Sequence, residues 1–254
     1  MMLSLDVGNS HIYGGLFKDD AITLRFRHTS KVSTSDEFGI FLKNVLRENQ
    51  CIPELVDKIS ICSVVPQLDY SLRAACLKYF SIEPFFLQAG VKTGLQIKYR
   101  NPHEVGSDRI ANAIAATHLY PSKNVIVLDF GTATTLCVIT KTKAYLGGAI
   151  FPGVRLSMDA LSANTAKLPT VEIIKTELII GRSTIESIQS GIFFGILGAC
   201  RELIRLIKQE NFSNEPVTVL ATGGFSSLFE NQGIFDELVP DLVLQGLRLA
   251  TLMN

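Results

Sequence analysis

Residues 1–10 read Met1-Met2-Leu3-Ser4-Leu5-Asp6-Val7-Gly8-Asn9-Ser10, and the stretch Val125-Ile126-Val127-Leu128-Asp129-Phe130-Gly131-Thr132-Ala133-Thr134-Thr135 repeats their design. In each copy an apolar run ends at Asp-x-Gly, hydroxyl or amide side chains follow, and a second strand-like run comes next, at 12–17 and 136–140. The order has a chemical use. Glycine at the bend takes positive φ or lets backbone come close to a ligand, the polar side chains supply donors, and an aspartate at a strand end can face a metal-bound phosphate. Asp-x-Gly-Asn is also an ordinary turn, so one copy decides little. Two copies, one in each half of the chain, are better explained by a duplicated nucleotide-binding unit with a cleft between the halves. Ser10, Thr132, Thr134 and Thr135 are candidate phosphate contacts, although Thr135 could simply begin the next strand.

Working outward, residues 3–7, 12–17 and 21–26 read as three short strands of an antiparallel meander, with turns at Gly8-Asn9 and Lys18-Asp19-Asp20. Ser33 to Glu37 offer helix caps, and Phe38, Phe41, Leu42, Val45 and Leu46 follow at amphipathic-helix spacing. A buried strand at 58–65 closed by Pro66, a helix at 68–79 and a strand at 84–87 complete the first half. An alanine-rich helix spans 104–119. The theme then restarts with strands at 125–129, 135–140 and 144–150. Helical stretches follow, including 184–209 broken by Gly191, Gly195 and Gly198, then a strand at 217–221 and a closing helix at 247–252. The repeated order, βββαβαβ with helical insertions, predicts an α/β architecture. A boundary near residue 120 divides it into domains 1–119 and 120–254.

The composition narrows the function. Of 254 residues, 47% are hydrophobic and 19% charged, which predicts a packed globular protein. Lys+Arg and Asp+Glu balance at 24 each, so no global basic field exists to attract nucleic acid, and an anionic ligand must be held by local donors. The five cysteines form no C-x-x-C pair and the four histidines no H-x-x-x-H pattern, which argues against a zinc site. Cys62 and Cys137 sit in apolar runs and read as buried core thiols. No basic leader and no long apolar segment is present, so an untargeted, soluble protein of the reducing cytoplasm, away from membranes, is expected.

Several smaller motifs carry both a chemical and a purely structural reading. Gly106-Ser107-Asp108-Arg109 opens the alanine-rich helix. An acidic first turn is favoured by the macrodipole alone, but Arg109 beside the apolar run 110–114 suggests a paired or liganded charge. A carboxylate next to an arginine could bind a hydroxylated acid and take its hydroxyl proton. Thr222-Gly223-Gly224 follows a strand and precedes a helix expected to start at Ser227; it serves either a close ligand approach or the strand-to-helix turn itself. Gly147 to Gly153 reads as punctuation ending a strand at Pro152. Gly181-Arg182-Ser183-Thr184 reads as the cap of the next long helix, with Glu186 close behind.

Taken together, Asp6 to Ser10, Gly106 to Arg109, Asp129 to Thr135, Gly148 to Gly153, Gly181 to Thr184 and Thr222 to Gly224 occur in the order and spacing of type III pantothenate kinase, which the chain resembles over nearly its whole length. The resemblance implies duplicated RNase-H-like domains of the actin, sugar-kinase and heat-shock-ATPase superfamily with the active site in the cleft between them. It also implies ATP-dependent phosphorylation of pantothenate, the first step of coenzyme A synthesis. Asp108 would match the proton acceptor. Tyr99, Gly106, Ser107, Asp108, Arg109 and Thr184 would bind pantothenate, Thr184 reaching it from the partner of a homodimer. Asp6, Val7, Gly8, Asn9, Ser10, His11, Ile12 and Tyr13 would form the first ATP loop and Thr132 the second. Asp129 would hold a monovalent cation, K⁺ or NH₄⁺, and Mg²⁺ would accompany ATP. Ser10 stands where the family usually has Thr, Ser107 where it usually has Ala, and Cys137 at a spot that is often acidic. No Walker-type G-x-x-x-x-G-K-[ST] occurs, which argues against a P-loop kinase. Two other readings are an idle ATP-binding regulatory homologue acting through a protein partner, and an ATPase of the same superfamily acting on something else.

Overall fold

Two strands set the plan of the chain. β1 (Met2–Val7) is buried at every position except Asp6, and β7 (Asn124–Phe130) at every position except Asp129. Strands covered on both faces are near-continuously apolar, and in each of these the partly exposed residue is the acidic one. The structure, a computed structural model, describes residues 1–213 and 215–254.

Around β1, a sheet forms in the order β3-β2-β1-β4-β5. β2 (His11–Lys18) and β3 (Ala21–Thr29) make the expected antiparallel meander, and β4 (Lys58–Ser63) and β5 (Phe85–Phe86) add in parallel. Parallel neighbours need crossover helices, and the sequence supplies them. α1 (Ser35–Glu48) starts at a capping box between Thr34 and Glu37, and α2 (Pro66–Phe80) starts on Pro66, whose fixed φ suits a first helical position. Their apolar faces close over a core that includes Leu3, Leu5, Phe38, Leu42, Ile61 and Leu72.

Around β7 the plan recurs. The order is β11-β10-β7-β8-β9-β6, with β6 at Gln96–Ile97: β8 (Ala133–Ile139) and β9 (Ala144–Pro152) continue antiparallel from β7, while β10 (Val217–Thr222) and β11 (Glu237–Leu238) add in parallel. The sequence of pairings 3-2-1-4-5 thus reappears as 9-8-7-10-11, the duplication anticipated from the two Asp-x-Gly loops. The crossover elements are α4 (Val154–Ala163) and α5 (Thr184–Asn211). Phe193 and Phe130 each stack on Phe229, with centroids 5.4 and 4.5 Å away, at the centre of this core.

Four details depart from expectation. α5 runs unbroken for 28 residues through Gly191, Gly195 and Gly198. Each glycine costs about 1 kcal/mol relative to alanine in a helix, but Ile188, Ile192, Phe193, Ile196, Leu197 and Ile204 bury the opposite stripe and hold the helix together. α3 (Ser107–Leu119) begins three residues later than read, because Asn101 caps a separate 3₁₀ turn at Pro102–Glu104. Ser226–Phe229 is a 3₁₀ turn, not the start of an α-helix. An unforeseen two-residue strand, β6 (Gln96–Ile97), pairs in parallel with β9.

The chain forms two compact units, and neither is one continuous segment. The first comprises Met1–Gly94, Arg100–Ala115 and Leu242–Asn254; the second comprises Leu95–Tyr99 and Ala116–Asp241. A single cut near residue 120 therefore does not describe them. The closing helix α6 (Leu242–Met253) packs on β1 and β4 of the first unit, with Gly246 against the backbone of Ala111 so closely that no side chain fits between. Among the described residues, no helix is long and apolar enough to cross a membrane.

Candidate active site

In the first unit the chemistry gathers at the carboxyl ends of β1 and β4, where ligands collect in α/β folds. Gly8 donates its N–H to the carbonyl of His11 (3.1 Å), closing the hairpin between β1 and β2. A Cβ on Gly8 would lie 3.2 Å from that oxygen. Close approach, not positive φ, is therefore what this glycine provides. Asn9, Ser10 and His11 are exposed, and Tyr13 stacks under the Arg27 guanidinium at 5.2 Å. Val7 and Ile12 point into the core, 0% and 2% exposed, so only their backbone can meet a ligand.

Asp108 sits in the first turn of α3. Its Oδ1 accepts the backbone N–H of Arg109 at 2.8 Å. Burial is the largest influence on it and pushes its pKa above the usual carboxylate value, opposed by the Arg109 N–H and by the Arg109 charge. Some of the residue's surface remains accessible while the carboxyl lies deep, an arrangement that desolvates the acid without sealing it. Arg109 itself is buried, 6% exposed. Ser107 donates its hydroxyl to the carbonyl of Ser63 (3.0 Å), fastening the start of α3 to the end of β4.

In the second unit Asp129, one residue before the end of β7, lies beside Thr222 of β10. Gly223, at φ +91°, presses against it: a Cβ there would stand 2.4 Å from Asp129 Oδ1. Thr132 is exposed at the tip of the β7–β8 turn, and its carbonyl accepts the N–H of Gly153 at 3.1 Å. Thr134 is fully buried, so its hydroxyl is not offered to solvent, whereas Thr135 is half-buried within β8. Tyr99 follows β6, which is held to β9 by Lys98 N–H to the Tyr145 carbonyl at 2.8 Å. Its ring lies over Gly147, where a Cβ would come within 3.1 Å of Cε2. Thr184 is exposed as the first residue of α5, with Ser183 capping the helix by accepting Glu186 N–H at 3.2 Å.

The structure thus brings Asp6, Gly106, Ser107, Asp108 and Arg109 together in the first unit, and carries Tyr99, Asp129, Thr132 and Thr184 in the second. Three supporting residues escaped the sequence reading. Gly147 read as punctuation, Gly223 as either a ligand-approach glycine or a turn glycine with no link to Asp129, and Cys62 as a core thiol. Each acts through a neighbour distant in sequence, so only the strand pairing reveals it.

The family model described as Type III pantothenate kinase matches residues 2–206. A protein named Type III pantothenate kinase from Legionella pneumophila (strain Corby) is 73% identical over 254 residues, covering 100% of this chain and 99% of that protein. Type III pantothenate kinase 1 from Francisella tularensis subsp. holarctica (strain OSU18) is 47% identical over 255 residues, covering 100% of both. Among solved structures, the activator of the 2-hydroxyisocaproyl-CoA dehydratase from Clostridium difficile with bound ADPNP aligns with a TM-score of 0.52 at 11% identity, covering 99% of this chain and 92% of that one. At that identity the likeness concerns the fold alone.

Proposed function

From the premise that this chain belongs to the type III pantothenate kinase family and phosphorylates pantothenate with ATP in coenzyme A biosynthesis, we propose that Asp108 takes the proton of the pantothenate hydroxyl. The observation that carries this role is a deeply set carboxylate whose pKa is raised by burial, the environment that makes an effective base near neutral pH. The hydroxyl oxygen attacks the γ-phosphorus, its proton passes to Asp108, and the bond from γ-phosphorus to the bridging oxygen breaks, leaving ADP and 4'-phosphopantothenate. No covalent enzyme intermediate is required, since phosphoryl transfer depends on positioning and on neutralising charge over the phosphate oxygens. The idle regulatory reading draws no support from the relatives.

Asp6 to Tyr13 form the first ATP loop in this proposal, Val7 and Ile12 through backbone alone, and Thr132 belongs to the second. Gly106, Ser107, Arg109 and Tyr99 line the pantothenate site. Among the described residues no cluster of three or more His, Cys, Asp or Glu could hold a metal by itself. Mg²⁺ on a nucleotide needs only one or two protein carboxylates besides the phosphates, so Asp6 alone suits it. Asp129 is assigned to a monovalent cation, K⁺ or NH₄⁺: its carboxylate is a hard oxygen donor of the kind such an ion prefers.

The enzyme is further proposed to be a cytoplasmic homodimer. All five cysteines are free, which suits a reducing compartment. A groove of about 1160 Å³ runs along α4 and α5, lined by Leu156, Leu161, Ile188, Gly191 and Gly195, with Thr184 at one end. Nearby Leu178, Ile179 and Ile180 are 71%, 69% and 77% exposed. Apolar exposure on that scale marks a protein contact, and a second copy seated there would explain why Thr184, a substrate contact in the family's pattern, stands at its rim.

The deciding assay follows ADP formation from ATP and pantothenate with Mg²⁺, first in K⁺ and then in Na⁺. Absence of pantothenate-dependent ADP from folded protein would overturn the kinase mechanism. Equal rates in both salts would remove only the cation role of Asp129.

A further inference from the structure

Parallel pairing of β1 with β4 sets Cys62 opposite Asp6, and the Cys62 thiol donates to Asp6 Oδ1 at 3.2 Å. Cys62 is 0% exposed. In this pair the thiol is the donor and the carboxylate the acceptor. A core cysteine behaves as a small hydrophobe and needs no partner; this one is aimed at the carboxylate that ends the nucleotide-loop strand. The next residue, Ser63, receives the Ser107 hydroxyl. Consecutive positions at the end of β4 thus touch the ATP loop and the helix that bears the base.

We propose that Cys62 is a positioning residue of the kinase: its thiol holds the Asp6 carboxylate in the rotamer that meets the magnesium-bound phosphates of ATP. A hydrogen bond to a charged acceptor in a buried setting fixes direction as well as energy. Alanine at this position would keep β4 packed and leave Asp6 without that donor. Serine would restore a donor of similar size. The inference rests on the assignment of Asp6 to the ATP loop, and the experiment separates the two.

Steady-state kinetics are measured with ATP varied and then with pantothenate varied, for Cys62→Ala, Cys62→Ser and Asp6→Asn. Cys62→Ala is expected to lose on the order of 10-fold in kcat/KM for ATP, the scale of a hydrogen bond to a charged group, with the KM for pantothenate unchanged. Cys62→Ser should recover to within about threefold of the parent, since a hydroxyl makes the same bond. If Asp6→Asn leaves kcat/KM for ATP untouched, the ATP-loop assignment falls, and the proposal with it. If Asp6→Asn is impaired while Cys62→Ala matches the parent, the loop assignment stands and the positioning role is overturned. A second readout needs no turnover. The infrared S–H stretch of Cys62, isolated by difference against Cys62→Ala, should move to higher frequency in Asp6→Asn as a carboxylate acceptor becomes a weaker amide. A band that stays in place overturns the proposal.

Discussion

Gly106 leaves room for the Asp108 carboxylate that no other residue would: a Cβ on Gly106 would stand 2.5 Å from Asp108 Oδ1. That oxygen also accepts the Arg109 N–H, so the carboxylate is fixed from one side by a donor and on the other by an absence of bulk. Gly106→Ala should push the carboxylate out of this position. Because a small misplacement of a reacting group costs about 10²-fold, kcat is expected to fall by at least about 10-fold. Thermal unfolding should change little by comparison. An unaltered kcat would show that the rotamer of Asp108 is irrelevant to catalysis.

Asp108→Asn should lower kcat by on the order of 10²-fold or more, the contribution of a general base. The active base is the deprotonated form, and burial raises its pKa. The parent's kcat/KM should therefore climb with pH through a value above the ordinary carboxylate range, then level off. Asp108→Asn should lack that acid-side limb. Stability moves the other way. The folded protein binds this proton more tightly than the unfolded chain, so the folded state loses stability as pH rises from the unfolded carboxylate value through the raised one. Asp108→Asn is thus expected to melt higher than the parent at neutral pH. A rate near the parent's would reassign Asp108 to the structure of the α3 terminus.

Gly147 supports Tyr99 in two ways. It takes φ +115°, which L side chains rarely adopt, and a Cβ there would crowd the Tyr99 ring at 3.1 Å. Gly147→Ala should raise the KM for pantothenate several-fold and leave the KM for ATP near its parent value. Strain of this backbone type costs about 1–3 kcal/mol, so the melting temperature should also drop. Equal changes in both KM values would show that Tyr99 does not serve pantothenate selectively.

Gly195 faces open space, with nothing within 4 Å of where a Cβ would lie. Gly195→Arg should therefore fold as well as the parent, as judged by circular dichroism. If the α4–α5 groove seats a second copy, the same change should convert dimer to monomer in light scattering and abolish turnover. A dimeric Gly195→Arg protein would move the interface elsewhere.

The sequence made the two Asp-x-Gly loops visible because repetition is independent of tertiary contacts, and it made the meanders visible because alternation and turn residues are local. Asp108 stood out as the proposed base for a similar reason: a charged pair, Asp108-Arg109, opens an otherwise apolar helix. What stayed hidden depends on contacts between distant positions. β6 is two residues long and is defined only by its pairing with β9. The glycines of α5 look like breaks because their cost is local, while the burial that outweighs it comes from the surrounding core. Cys62 reads as packing until the β1–β4 register sets it opposite Asp6.

The placement of α6 bears on how the protein is made. The unit that holds Asp6 and Asp108 needs residues 242–254, which leave the ribosome after every strand of the other unit. Domains fold as their segments emerge, so β7 to β11 are free to fold first, while the sheet around β1 must wait with one face uncovered. A chain stalled or clipped before Leu242 carries Asp6 and Asp108 but lacks the helix that packs on β1 and β4.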